Sequence, residues 1–463
     1  MCEFIVNGKT LPIPSFFQVY NYGGGFGDKS REVVYADMTT DTPALLNYFY
    51  ISNKYPHMFQ AKDFDNIGTF STIGDVFNNI RKNLIEEKGY LYSGYPETDY
   101  DFNSKIILLD SGASNIVKFI AKDVDYNVEA FKEKLLEDMI SYYDFADRYK
   151  FDIVIGFDLG GKYTFKDDEK NNVELNQFYD SIDKDEINRI LLEKTTDYMI
   201  SHPNYYPKVM ATIHGRTPEE YKRYAIDAIN LERITGYHYW GFALGGVASS
   251  KGIDNSWKEG IVMGASIKKN AKNALIPARA AKIVHNIVGN RPIHALGCGG
   301  YPNIAMNYFC GATSFDAASP ARRVGDGNEL STNYVFDQNP PKKVRGKDVS
   351  FSKMFVGGLK SDLTLFDKEF DYIRINELDN NEPLCGCMAC DKVNSFRDIK
   401  TLYANKSVEE ESFYYAKQLM NIHAILQHRR LCEKLVQYDS MEDFCNDNPT
   451  SLNLQLLEVF NQL

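Results

Sequence analysis

From about Lys105 onward the chain alternates short apolar runs with longer amphipathic segments, the pattern that repeated β-α units around a parallel sheet produce. Ile106-Ile107-Leu108-Leu109 predicts a buried strand ending at Asp110-Ser111-Gly112. Val128, Phe131, Leu135, Met139 and Tyr143 recur at three- and four-residue spacing, which gives one apolar face to a helix from Val128 to about Tyr149. Asp152 to Phe157 predicts the next strand, closing on Asp158 and a Gly160-Gly161 turn, with an acidic helix over roughly Asp185 to Ile200. Lys208 to Ile213 predicts a strand ending at His214. Its helix is marked at both ends, with Thr217 as N-cap, Pro218 at the first helical position, Glu220 three after the cap and Gly236 past the end.

Three further strands follow: Tyr237 to Ala243 closing on Gly245-Gly246, Pro292 to Leu296 ending at Gly297, and Thr313 to Phe315 ending at Asp316. A long basic helix reaching about Val288 and a helix from Pro302 separate them. At least six strand-then-helix units in series favour an α/β fold of the closed (β/α)8 TIM-barrel type over an open doubly wound sheet. The expected organisation is an N-terminal β-rich extension over 1–40, a barrel with insertions over 41–380, and a C-terminal zinc-binding and helical subdomain over 381–463. Residues 41–104 are expected to hold the first barrel strand.

Composition adds exclusions. Hydrophobic residues at 44% and charged residues at 25% rule out wholesale disorder and fibrous repeats. No apolar run approaches the ~18 residues that span a bilayer, and the start, MCEFIVNGK, carries Glu3 where a signal peptide would carry positive charge, so a cytoplasmic, membrane-free protein is expected. A net charge of −11 argues against a polyanion partner when taken as an average. Its distribution reverses that argument. From Gly260 to Phe315 there is no Asp or Glu, while Lys268, Lys269, Lys272, Arg279, Lys282 and Arg291 are present, and Arg322-Arg323 and the Lys342 to Lys347 cluster follow. A confined phosphate-binding face is expected, against the plainer reading of a solvated helix surface.

Barrel enzymes carry their chemistry where the strands end. Here those positions hold Asp110, Asp158, His214, Gly245-Gly246 and Asp316. Singly, each has a plain explanation: an Asp after a strand caps the next helix, and a Gly pair makes a tight turn. Together they describe one polar floor. Several carboxylates without a serine or cysteine nucleophile signature suit displacement at an activated carbon, one carboxylate attacking or stabilising a cation and another moving protons. Glycosyl transfer fits this, and a Gly-Gly strand end lets a flat ring approach the backbone. Separately, Cys385, Cys387 and Cys390 form a CxCxxC arrangement, with His423 and His428 downstream; three thiolates and one imidazole make a closed, structural tetrahedral Zn2+ site.

These segments resemble the tRNA-guanine transglycosylase superfamily. Asp110-Ser111-Gly112-Ala113 resembles its DSGG segment, Ile155-Gly156-Phe157-Asp158 its base-reading strand, and Gly241-Phe242-Ala243-Leu244-Gly245-Gly246 its GYAxGG strand. Leu296-Gly297-Cys298-Gly299, Phe315-Asp316 and Pro320-Ala321-Arg322 follow the family's order up to its nucleophile, and CxCxxC followed by His423 resembles its zinc site. The resemblance implies that Asp316 attacks C1′ of a target guanosine and that Asp110 transfers the proton of the incoming base. It gives base recognition to Ser111, Gly112, Asp158, His214, Leu244, Gly245 and Gly246. Contacts to the polynucleotide fall to Gly297, Gly299, Asn303, Arg322, Arg323, Lys268, Lys269 and Lys272.

The departures carry information. His214 stands where the tRNA enzymes have Gln, Ala113 replaces the second glycine of DSGG, Lys251 falls where bacterial enzymes have Glu, and Gly325 falls where a second tRNA-contacting Arg is expected. Both catalytic aspartates remain. The pattern is most similar to the DNA 7-deazaguanine transglycosylases of bacteria and phages, the DpdA type, which exchange guanine in DNA for a base such as preQ0. The alternatives are a divergent enzyme acting on tRNA and a non-catalytic nucleic-acid-binding paralogue; a homodimer or accessory proteins are left open. The expected location is the cytoplasm of a bacterial or phage-infected cell.

Overall fold

A computed structural model describes residues 3–20, 41–52, 54–55, 64, 66–87, 101–160, 165–167, 170–246, 255–262, 267, 269–317, 390–392, 410–449 and 451–463. Eight parallel strands close into a barrel: β1 (Ser15–Tyr20), β2 (Ala44–Asn47), β3 (Ile107–Asp110), β4 (Ile153–Ile155), β5 (Lys208–Ile213), β6 (Gly241–Leu244), β7 (Ile293–Ala295) and β8 (Ser314–Ala317). Each pairs with the next, and β8 returns to β1 with Phe315 opposite Phe16 and Asp316 opposite Phe17. The outer layer contains α1 (Ile73–Glu87), α2 (Ala113–Asp123), α3 (Val128–Arg148), α4 (Val173–Ser181), α5 (Lys184–Ser201), α6 (Pro218–Thr235), α7 (Lys269–Val288) and α8 (Tyr301–Phe309). The expected TIM-type α/β barrel is what the chain forms.

Alternation along each strand divides the core in two. Phe17, Leu45, Leu108, Ile153, Ile155, Met210 and Ala243 fill the barrel interior. Phe16, Leu46, Leu109, Val154, Ile213, Phe242 and Phe315 face the helices. Both faces being covered, the strands read as continuous apolar runs. The caps of α6 form as the sequence requires: Thr217 accepts from Glu220 N at 3.2 Å, Pro218 opens the helix, and Gly236 ends it at φ 75°.

Two boundaries differ from expectation. The expected extension over 1–40 is not separate where it is described, residues 3–20, because Ser15–Tyr20 is the first barrel strand and β2 the second. Five of the six positions in SFFQVY are buried, so neither face alternates with solvent and nothing in the run distinguishes it from a lead-in strand. What precedes it is an antiparallel hairpin, Glu3–Val6 with Lys9–Pro12, which covers the lower end of the barrel. Val6 and Leu11 join the interior cluster, and Lys9 Nζ reaches Asp152 Oδ2 at 2.8 Å.

The C-terminal helices are likewise not an appended subdomain. α9 (Glu410–Leu435) buries Leu419, Ile422, Leu431, Cys432 and Leu435 in the main core and stacks His428 on Phe16 of β1 at 4.3 Å between ring centroids. It therefore serves as a barrel helix. α10 (Met441–Asp447) and α11 (Ser451–Phe460) pack beside it, with Tyr301 of α8 donating to Asn453 at 2.7 Å. Among the described residues no helix is long and apolar enough to cross a membrane.

Candidate active site

The upper ends of the strands bring Asp158 and Asp316 within electrostatic reach of Asp110. Asp110 ends β3, where its Oδ2 accepts from Asn47 Nδ2 and from Gly112 N, each at 3.3 Å. Gly112 has φ 74°, and a Cβ there would run into the Asn47 amide, so only glycine fits this turn. Burial pushes the Asp110 carboxyl up to about 7, with the charges of Asp158 and then Asp316 adding to it and the N–H groups of Gly112 and Ser111 opposing it. Ser111 is buried, and its hydroxyl has no hydrogen-bond partner among the described residues.

Asp158 follows β4 on a loop fixed from behind. Gly160 N donates to Asp158 Oδ2 at 3.1 Å, Leu159 N donates to Asn188 at 2.8 Å, and the Tyr179 hydroxyl donates to Leu159 O at 2.8 Å. His214, buried at the end of β5, brings Nδ1 to 3.4 Å from Asp158 Oδ2 without a hydrogen bond, its ring edge-on to Tyr224. Behind this pair, Gly156, Asn188, Thr212 and Tyr224 help to enclose a cavity of about 10 Å³, room for roughly one water. Gly245 lies beside Thr212 and His214, and Gly246, at φ 75°, has no described atom within 4 Å of where a side chain would begin. Leu244 packs its side chain among the helices, so only its backbone is available to a ligand.

Asp316 is on β8, 6% exposed, and accepts on Oδ1 from Gly297 N at 2.6 Å. His294 Nε2 lies 3.2 Å from the same oxygen. Gly299 permits this close approach of loop and strand: a Cβ there would meet Asp316 O at 2.7 Å and the Phe16 ring at 2.8 Å. Among the described residues no Lys or Arg forms an ion pair with Asp110, Asp158 or Asp316. Cys298, buried nearby, has its thiol pushed far above the ordinary range by burial and by Asp316, which leaves it unreactive as a nucleophile.

The expected nucleic-acid residues divide. Barrel helices run back down from the upper rim, so Lys272 and Asn303, in the first turns of α7 and α8, lie on the same side as the carboxylates. Gly297 and Gly299 are already at the site. Lys269 begins α7, but its side chain is outside the described residues, as are Lys268, Arg322 and Arg323 altogether. Arg279 and Arg291 are engaged within the protein itself. Arg279 Nη1 donates to the carbonyls of Ser256, Trp257 and Glu259 at 3.3, 2.7 and 3.2 Å, and Arg291 pairs with Glu232 at 2.6 Å near the lower end. Cys385 and Cys387 and the side chains of Cys390 and His423 also lie outside the described residues.

Two residues at the site escaped the sequence reading. Asn47 ends β2 as Asp110 ends β3, and the register pairs them directly. His294 is a polar residue inside the buried strand IHA, which is itself the signal: a fully buried parallel strand has no place for an imidazole without a partner. No protein-family model matches the chain, and no curated protein matches it.

Proposed function

We propose that the chain is a transglycosylase that exchanges guanine in DNA for a 7-deazaguanine base through a covalent glycosyl-enzyme. The observation that carries this reading is the convergence of three carboxylates at the upper barrel mouth without a cation among the described residues to neutralise them, one of them held near 7. An oxocarbenium-like C1′ centre needs a nearby anion, and a proton shuttle needs a group that titrates near neutrality. Asp316 attacks C1′ as the C1′–N9 bond breaks, and the electron pair passes to N9 of the departing guanine. Protonated Asp110 supplies the proton that N9 takes up. In the second half Asp110, now ionised, takes the N9 proton of the incoming base, whose nitrogen displaces Asp316 from C1′.

Asp158, His214 and the Gly245-Gly246 backbone would read the edge of the flat base. DNA is favoured over tRNA because His214 and Gly325 replace residues that the similar tRNA enzymes use. Reaching a base in a duplex requires flipping it out, at a cost of a few kcal/mol. Three cysteines and His423 suit a closed zinc site by their donor chemistry, which would stabilise the fold and leave no open coordination position. One zinc per chain, released by a chelator with a fall in Tm and no direct loss of kcat in the molecules still folded, is the expected result there.

The function is tested by incubating the protein with duplex DNA, tRNA and labelled preQ0. Deazaguanosine in the nucleoside digest of the DNA supports the proposal. Label in tRNA alone would overturn the choice of DNA, and label in neither would overturn base exchange.

A further inference from the structure

His294 is completely buried on β7, its imidazole between two side chains of the neighbouring β8: Nδ1 lies 2.9 Å from Ser314 Oγ and Nε2 lies 3.2 Å from Asp316 Oδ1. Phe17 closes a third side, edge-on at 5.4 Å between centroids. An imidazole in an apolar barrel interior costs free energy unless its nitrogens are satisfied, and here both are. A Ser314 hydroxyl donating to Nδ1 puts the ring proton on Nε2, where it faces Asp316. Gly297 N–H, at 2.6 Å, falls on the same carboxylate oxygen. Two donors thus share Oδ1, and no described residue forms a hydrogen bond with Oδ2.

We propose that His294 is a positioning residue that, with Gly297 N–H, pins Oδ1 of Asp316 and presents Oδ2 as the attacking atom. The proposal rests on the base-exchange reading above. Oδ2 forms the bond to C1′ as the C1′–N9 bond breaks toward the guanine, which takes the Asp110 proton. Oδ1 becomes the carbonyl oxygen of the glycosyl ester and keeps both hydrogen bonds. His294 gains and loses no proton in the cycle. It removes the rotational freedom of a carboxylate that must meet C1′ within a few tenths of an ångström.

The test compares His294→Phe, His294→Gln and the unaltered full-length chain, measuring kcat and KM for duplex DNA, alongside histidine 15N spectra of the unaltered chain, Ser314→Ala and Asp316→Asn. His294→Phe is expected to lower kcat about 100-fold with KM little changed. His294→Gln, which retains an N–H donor, is expected to recover part of the loss. An unchanged kcat in His294→Phe, or equal losses in both variants matched by equal losses of folded protein, would overturn the proposal. If the unaltered chain exchanges no base on DNA or tRNA, the base-exchange reading fails and the spectra decide the pinning alone. A His294 resonance of the Nε2–H form that moves in both Ser314→Ala and Asp316→Asn upholds it; a resonance indifferent to both refutes it.

Discussion

Asp152, at the lower end of the barrel, and Asp316, at the upper end, are both nearly inaccessible, at 1% and 6% exposure, but they have opposite surroundings. Asp152 meets Lys9 Nζ at 2.8 Å and Ile107 N at 2.9 Å. Glu232, also near the lower end, has Arg291 at 2.6 Å and Tyr239 N at 2.9 Å. At the upper end Asp316 is held by a neutral amide and an imidazole, and Asp110 by a carboxamide and a backbone N–H. Paired acids hold the floor of the barrel in place. At the upper end no described Lys or Arg pairs with Asp110, and burial with the charges of Asp158 and Asp316 raises its carboxyl.

That contrast can be broken most decisively at Asp316. Asp316→Asn should reduce base exchange by about 10⁴-fold or more in a steady-state assay while the protein remains folded. Asp152→Asn should leave kcat of the folded molecules unchanged. Equal kinetic losses from both would erase the distinction. The complementary stability experiment is Lys9→Met, which strands the buried Asp152 charge and should cost about 3 kcal/mol in urea denaturation without altering kcat.

Asp110→Asn sharpens the comparison through pH. The carboxyl is raised in the folded chain to about 7, so between the unfolded value near 4 and that point the folded state binds the extra proton. Stability therefore falls as pH climbs through this window. Removing the ionisable group should raise stability by about 4 kcal/mol at pH 8, with the gain vanishing near pH 4, although exchange is lost. A variant no more stable than its parent at pH 8 would show that the Asp110 carboxyl is not raised by its surroundings. The smallest effect is expected from Lys272→Ala: binding to duplex DNA should weaken uniformly across sequences, and the slope of log K against log salt should fall by about 1.

Much of this was legible in the chain. Asp110, Asp158, His214 and Asp316 were found because each closes a short apolar run, and strand ends are where a parallel barrel exposes side chains. Ser15–Tyr20 is not legible as a barrel strand because burial on both faces removes alternation. The burial of α9 against β1 was not legible either, since it joins segments about four hundred residues apart, Phe16 and His428. Asn47 is visible only through register, which sets it opposite Asp110, whereas His294 is signalled by its place in a buried strand and gains a partner through register with Ser314. Composition does not report how the six positive charges of the acid-free stretch are engaged: Arg279 is held by carbonyls and Arg291 by Glu232.

The most direct measurement is mass spectrometry of the protein quenched in denaturant during turnover on guanine-containing duplex DNA, followed by peptide mapping. The account predicts a DNA-derived pentosyl ester on the peptide containing Asp316, absent in Asp316→Asn and discharged when a 7-deazaguanine base is added before the quench. An adduct mapped to any other residue, or exchange that proceeds at full rate in Asp316→Asn, would contradict it.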